Sequence, residues 1–175
     1  IEVLLEDHTL ADTGFSLEQR AMLKNILGLS ERRVEDIMVP RADIVSVHQD
    51  IPLGELMKVF EKAGHSRLVV YDDTLDDPVG VVHVKDVFRL LADEARRPPP
   101  GELVLNKLRR DALYVPASMK AADLLLRMRT SRIHMALVID EFGGTDGLVS
   151  MEDLIEAVVG EIDDEHDDAA AAAVV

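Results

Sequence analysis

Ser150 and Asp153 stand three residues apart, where the apolar pair Leu148-Val149 gives way to a helical pattern over residues 151–159. A hydroxyl at a strand end and the first free N–H groups of the next helix converge on one spot. The helix dipole favours negative charge there, so the pair suits a phosphate. The carboxylate one turn further on has the lone pairs to accept two hydrogen bonds from neighbouring hydroxyls. The same residues also obey plain helix grammar, with Ser150 as N-cap and Asp153 favourable in the first turn. On that grammar alone the capping reading is the stronger.

Other reactive side chains lead less far. His65-Ser66 and His134 offer the residue types of nucleophilic catalysis, but no Gly-x-Ser-x-Gly elbow or oriented third member accompanies them. The sequence therefore reads as a non-enzyme. Residues 161–168 hold six acids and His166, the hard-oxygen chemistry of a divalent cation site. The glycine and spacing of a calcium loop are missing, so a solvated face or frayed segment is the expectation and no metal ligand is assigned.

Charge narrows the partners. The 175 residues carry 34 acidic and 19 basic side chains, a formal charge of −15. Such a field repels a nucleic-acid backbone. An anionic ligand would need a local positive pocket, a helix N-terminus or its own divalent cation. Hydrophobic content of 47% supplies a core, and the absence of cysteine rules out disulfides and thiolate metal sites. No apolar run approaches the ~18 residues of a membrane span, and the opening residues Ile1–Asp7 lack the basic start of an export signal. The expectation is a soluble, cytoplasmic chain without direct membrane insertion.

The elements that must position these residues occur twice. Val45–Val47, Leu53–Phe60 and Leu68–Asp72 return 68 residues later as Leu113–Val115, Ala121–Met128 and Ala136–Asp140. Val79–Asp86 returns as Asp146–Asp153 at an offset of 67, the lost residue falling in a turn. Each copy reads strand, helix, strand, strand, helix. The first copy predicts strands at Ile44–Val47, Leu68–Tyr71 and Val79–His83, with helices over Leu53–Ala63, closed by Gly64, and Lys85–Leu91. The second predicts strands at Leu113–Val115, Met135–Ile139 and Asp146–Val149, with helices over Met119–Thr130 and Met151–Val159. Its hairpin, Glu141–Thr145, carries two glycines, both expected at positive φ. Ser16-Leu17-Glu18-Gln19 reads as a capping box opening a helix to about Leu29, and Arg32–Met38 as a second short helix ended by Pro40. The expected organisation is an N-terminal arm and helix (1–31), repeat one (32–97), a proline linker (98–102), repeat two (103–160) and an acidic, alanine-rich tail (161–175), frayed or disordered.

The β-α-β-β-α repeat ending in Gly-x-x-Ser-x-x-Asp resembles the cystathionine-β-synthase (CBS) domain, and the tandem resembles a Bateman module. Val34–Arg41, Gly64–Arg67, His134–Gly144 and Gly160–Ile162 resemble more narrowly the hemolysin C/CorC branch, related to the cyclin-M magnesium transporters. The Asp140-Glu141-Phe142-Gly143-Gly144 hairpin is the most specific of these motifs. The resemblance implies a mixed α/β (α+β) fold, with the two repeats paired about a pseudo-twofold axis and an N-terminal helical arm.

It also implies a regulatory module of magnesium or cobalt efflux that binds ATP or AMP, with Mg2+ accompanying ATP. Such modules form a homodimer and act on a membrane transport domain or transporter. Within the resemblance the balance at Ser150 and Asp153 shifts from capping toward nucleotide binding, with Asp153 facing the ribose hydroxyls. Val39, Pro40, His65, Ser66, Arg67 and Leu68 complete the implied site. The mirror site would use His83, Asp86, His134 and Met135. His83 stands where Ser or Thr is expected and Met135 where repeat one has Arg67, so this site is expected to be weak or empty, with His83 a packed strand-end histidine. The alternative is a dimerisation scaffold with empty clefts that recruits a partner or divalent cation.

Overall fold

The computed structural model describes residues 14–159. Leading from the N-terminus, α1 (Leu17–Glu31) opens with the expected reciprocal cap: the Gln19 N–H donates to Ser16 Oγ and the Ser16 N–H to Gln19 Oε1. Then come α2 (Val34–Ile37), β1 (Val39–Pro40), a 3₁₀ turn (Arg41–Asp43), β2 (Ser46–His48), α3 (Leu53–Ala63), β3 (Arg67–Tyr71) and β4 (Pro78–His83). They are followed by α4 (Val84–Ala92), α5 (Leu105–Leu108), β5 (Leu113–Pro116), α6 (Ala121–Ser131), β6 (Met135–Ile139), β7 (Thr145–Ser150) and α7, helical over residues 151–159.

Two compact units result, and both sheets fall in the same one, Val39–Val115 with Met135–Leu148, except for the last residue of β5 and the last two of β7. In the three-stranded sheet, ordered β2-β3-β4, β2 runs parallel to β3 and β3 antiparallel to β4. β3 is apolar at consecutive positions because it is covered on both faces. Leu68 and Val70 pack with Leu53, Leu56 and Phe60 of α3, and with Val87, Val104 and Leu105. Val69 faces the other way, joining Val81, Ala112, Met135 and Leu137. The four-stranded sheet is ordered β1-β7-β6-β5.

The lead-in segments are exchanged. Val39 and Pro40, which open repeat one, pair antiparallel with Leu148 and Gly147 of repeat two. Arg110, in the lead-in to repeat two, bridges Val81 of repeat one through N–H···O bonds of 2.7 and 2.9 Å. Gly80 makes that approach possible: at φ +153°, a Cβ would stand 2.5 Å from the Arg110 carbonyl oxygen. A second tie links the turn after β3 to the hairpin after β6. Asp76 Oδ1 accepts from the Arg41 guanidinium and from the Thr145 N–H, and the Thr145 hydroxyl donates to the Leu75 carbonyl at 2.6 Å.

The other unit, Ile1–Met38, Pro116–His134 and Val149–Val175, holds α1, α2, α6 and α7 among its described residues. Val34 N–H donates to the Met119 carbonyl and Ala121 N–H to that of Arg32, fastening the turn between α1 and α2 to the start of α6. Asn25 Nδ2 donates to the Val158 carbonyl at 2.8 Å, tying α1 to α7.

Several boundaries differ from expectation. Repeat one's first strand is Ser46–His48, later than Ile44–Val47, because Asp43 closes a 3₁₀ turn that delays it. α6 starts at Ala121, after a β-turn over Pro116–Met119. α5 and the two-residue β1 were not anticipated. In the hairpin only Gly143 has positive φ, at 82°. Gly144 is needed for space: a Cβ there would lie 2.9 Å from Asp140 Oδ2 and 3.2 Å from Asp76 Oδ1. The proposed tail, 161–175, and most of the N-terminal arm lie outside the described residues.

Gly80→Ala should destabilise the protein by about 3 kcal/mol or more, since overpacking against a fixed carbonyl and backbone strain add. Gly64→Ala, at φ 68° with open space around it, should cost only about 1–2 kcal/mol. Urea unfolding of both variants checks the order; equal losses would contradict the close approach.

Candidate nucleotide site

Ser150 ends β7 and its side chain caps α7. The Asp153 N–H donates to Ser150 Oγ at 3.1 Å, and the Ser150 N–H donates to Asp153 Oδ2 at 2.9 Å. The capping reading is thus realised in full. It leaves Asp153 Oδ1 without a hydrogen bond among the described residues, on a half-buried side chain. The strand end is fixed from behind by the Met151 N–H, which donates to the His134 carbonyl at 2.9 Å.

The other expected residues lie at the starts of strands. Val39 and Pro40 form β1, half-buried and exposed respectively. His65 and Ser66 are exposed and lead into β3, and the Ser66 carbonyl accepts from the Val84 N–H at 2.8 Å. Arg67 opens β3 opposite His83, and Leu68 is buried in the core at 1% exposure.

The mirror residues have a different environment. His83 Nδ1 accepts from the Lys85 N–H at 3.0 Å, doing as a cap what Ser150 Oγ does in repeat two. Burial first, and then the nearby Arg67 and Arg110 charges, push His83 below the usual imidazole range, which keeps that nitrogen an acceptor. Met135 is buried in the apolar layer with Val69 and Val81, and His134 is exposed. Asp86 is fully engaged: Arg110 Nε donates to Oδ2 and Nη2 to Oδ1, both at 2.7 Å. These bonds, and then the guanidinium charge, hold the Asp86 carboxyl below the usual carboxylate range against the opposing effect of burial.

Sequence reasoning did not find Arg110. The available signal was an Asp retained at a repeat position that had lost its hydroxyl partner. What it could not supply was the bridge to Val81 that brings Arg110 within reach. Among the described residues no group of three or more His, Asp or Glu side chains is arranged to hold a metal ion, and no helix is long and apolar enough to cross a membrane.

Two segments, residues 34–93 and 102–160, match the CBS domain family. The duplicated β-α-β-β-α units are thus a pair of CBS domains. Hemolysin C of Rickettsia prowazekii is 48% identical over 153 residues, 87% of this chain and 48% of that protein. Among solved structures, the CBS domain of a bacterial CNNM/CorC family Mg2+ transporter in complex with the inhibitor IGN95a aligns with a TM-score of 0.80 at 34% identity, covering 91% of this chain and 94% of that one. The same kind of domain in complex with ATP aligns at 0.73 and 36% identity, over 82% and 98% of the two chains. A CBS pair from Klebsiella pneumoniae with bound AMP aligns at 0.62 and 28%, over 73% and 98%. The chain belongs to the CBS-pair modules of the hemolysin C/CorC family. It spans about half the length of the curated relatives it matches.

The Asp86–Arg110 pair has a signed pH consequence. Unfolded, Asp86 titrates at about 3.9; folded, it titrates lower. Its contribution is therefore fully present above the unfolded value and is lost as pH falls through the folded one. Arg110→Gln should flatten the acid limb of stability below about pH 4. Urea titrations at a series of pH values check this, and parallel curves for the two proteins would contradict it.

Proposed function

We propose that this segment is a non-enzymatic regulatory module that binds an adenine nucleotide and passes that state, through a homodimer, to a magnesium or cobalt transport apparatus on the cytoplasmic side of a membrane. Ser150 and the α7 N-terminus meet phosphate, and Asp153 accepts from the ribose hydroxyls. Val39, Pro40 and Leu68 supply the apolar and backbone contacts for adenine. His65, Ser66 and Arg67 stand toward the phosphates. In a chain of −15 charge, Mg2+ arriving with ATP offsets both the phosphates and the surrounding acids. Nucleotide shifts the module only as far as it binds one arrangement more tightly than the other; a tenfold preference supplies about 1.4 kcal/mol.

One observation carries this reading: Asp153 spends a single oxygen on the helix cap and keeps the other uncommitted. ATP and AMP in the related structures support it. The scaffold alternative draws on the same pair, because a reciprocal capping box explains both residues without any ligand.

Titration calorimetry with ATP and AMP, with and without Mg2+, separates the two. Wild type should bind one nucleotide per chain. Asp153→Asn keeps an acceptor for the Ser150 N–H but removes the charge, and should weaken binding about tenfold or more. No heat at millimolar nucleotide, or an unchanged affinity in Asp153→Asn, would favour the scaffold.

A further inference from the structure

We propose that Arg110 closes a latent second ribonucleotide site by occupying Asp86, and so sets the stoichiometry of the module at one nucleotide per chain. This rests on the nucleotide reading of Ser150 and Asp153. Asp86 is the repeat-one counterpart of Asp153, 67 residues earlier and likewise one turn into a helix. The two carboxylates differ in their occupants. Asp153 gives one oxygen to a backbone N–H, whereas Asp86 receives a guanidinium N–H on each oxygen at 2.7 Å. A bidentate guanidinium presents two parallel donors to a carboxylate, which is also what the paired hydroxyls of a ribose present. Arg110 therefore takes the hydrogen bonds a ribose would make.

Beyond the His83 and Met135 replacements, one further position separates the two sites. By backbone position the counterpart of Arg110 is Val39, which pairs with Leu148 as Arg110 pairs with Val81, and its side chain has no donor. Arg110 is also held in place by the main chain, since its N–H and carbonyl both bond to Val81. The guanidinium is the outer member of the pair: its side chain is 57% exposed against 14% for Asp86. Removing it would open Asp86 toward a cavity of about 460 Å³ that both residues line. That wall carries Arg89, Arg96, Lys107 and Arg109 against Asp86 and Asp93; Arg96 pairs with Asp93, and the Arg89 charge acts on Asp86. With Arg110 removed, four cations against two carboxylates leave a net positive wall that suits the phosphates of the same ligand.

The test is the stoichiometry of ATP binding by calorimetry. Arg110→Ala, which removes the guanidinium and its stem, and Arg110→Gln, which keeps much of the side chain's bulk, should each raise it from one to two. Asp86→Asn added to either should return it to one. In an Asp153→Asn background, Arg110→Ala should tighten ATP binding about tenfold or more over Asp153→Asn alone. Two Arg110 variants that melt cooperatively yet still bind one nucleotide, with no gain in the Asp153→Asn background, overturn the proposal. If Asp153→Asn binds like wild type, the assignment of the first site fails instead. A second equivalent gained in Arg110→Ala and lost with Asp86→Asn would then still establish the lock.

Discussion

Each repeat finishes its sheet with backbone from the other. β1 lies against β7, and Arg110 lies against Val81, so neither sheet is complete from its own half of the sequence. The second contact requires a carbonyl oxygen where a Cβ at position 80 would stand. A backbone hydrogen bond contributes only about 1 kcal/mol net, but a buried N–H left unmet costs more. The exchange also brings the Arg110 side chain to the start of α4, so the arrangement that joins the repeats is the one that distinguishes them.

Duplication alone would give two equal sites. Substitution at a few corresponding positions prevents this. Ser150 and His83 both cap a helix, one with a hydroxyl and the other with a ring nitrogen. Arg67 opens a strand as a cation, while its counterpart Met135 joins the apolar layer. Asp153 retains an open oxygen and Asp86 retains none. Fold symmetry is kept in the backbone while chemical symmetry is lost in the side chains.

Much of the architecture was legible because it is periodic. α3 follows its apolar spacing and ends at Gly64, in the left-handed conformation that favours glycine. β6 is a continuous apolar run with both bounds as expected. The pieces that escaped are short or held by distant partners. α5 is four residues long, below the length at which a helical period shows. β1 is a strand only because β7 is beside it, and Pro40 there would argue against a strand in the interior of a sheet. The same limit applies to the site. Ser150 and Asp153 are local in sequence, and their mutual bonds follow from helix grammar. Asp86 and Arg110 are 24 residues apart, and nothing in either neighbourhood names the other.

The crossed lead-in segments bear on how this protein can be dissected. Severing the chain within Pro98–Pro100 looks natural, since that stretch is irregular and exposed or half-exposed. Yet the earlier fragment would keep β1 without β7, and the later one would keep Arg110 without Val81. Each piece would present a bare sheet edge of the sort that invites aggregation. The two halves are better regarded as complementing fragments, to be produced together, than as independent modules to be studied apart.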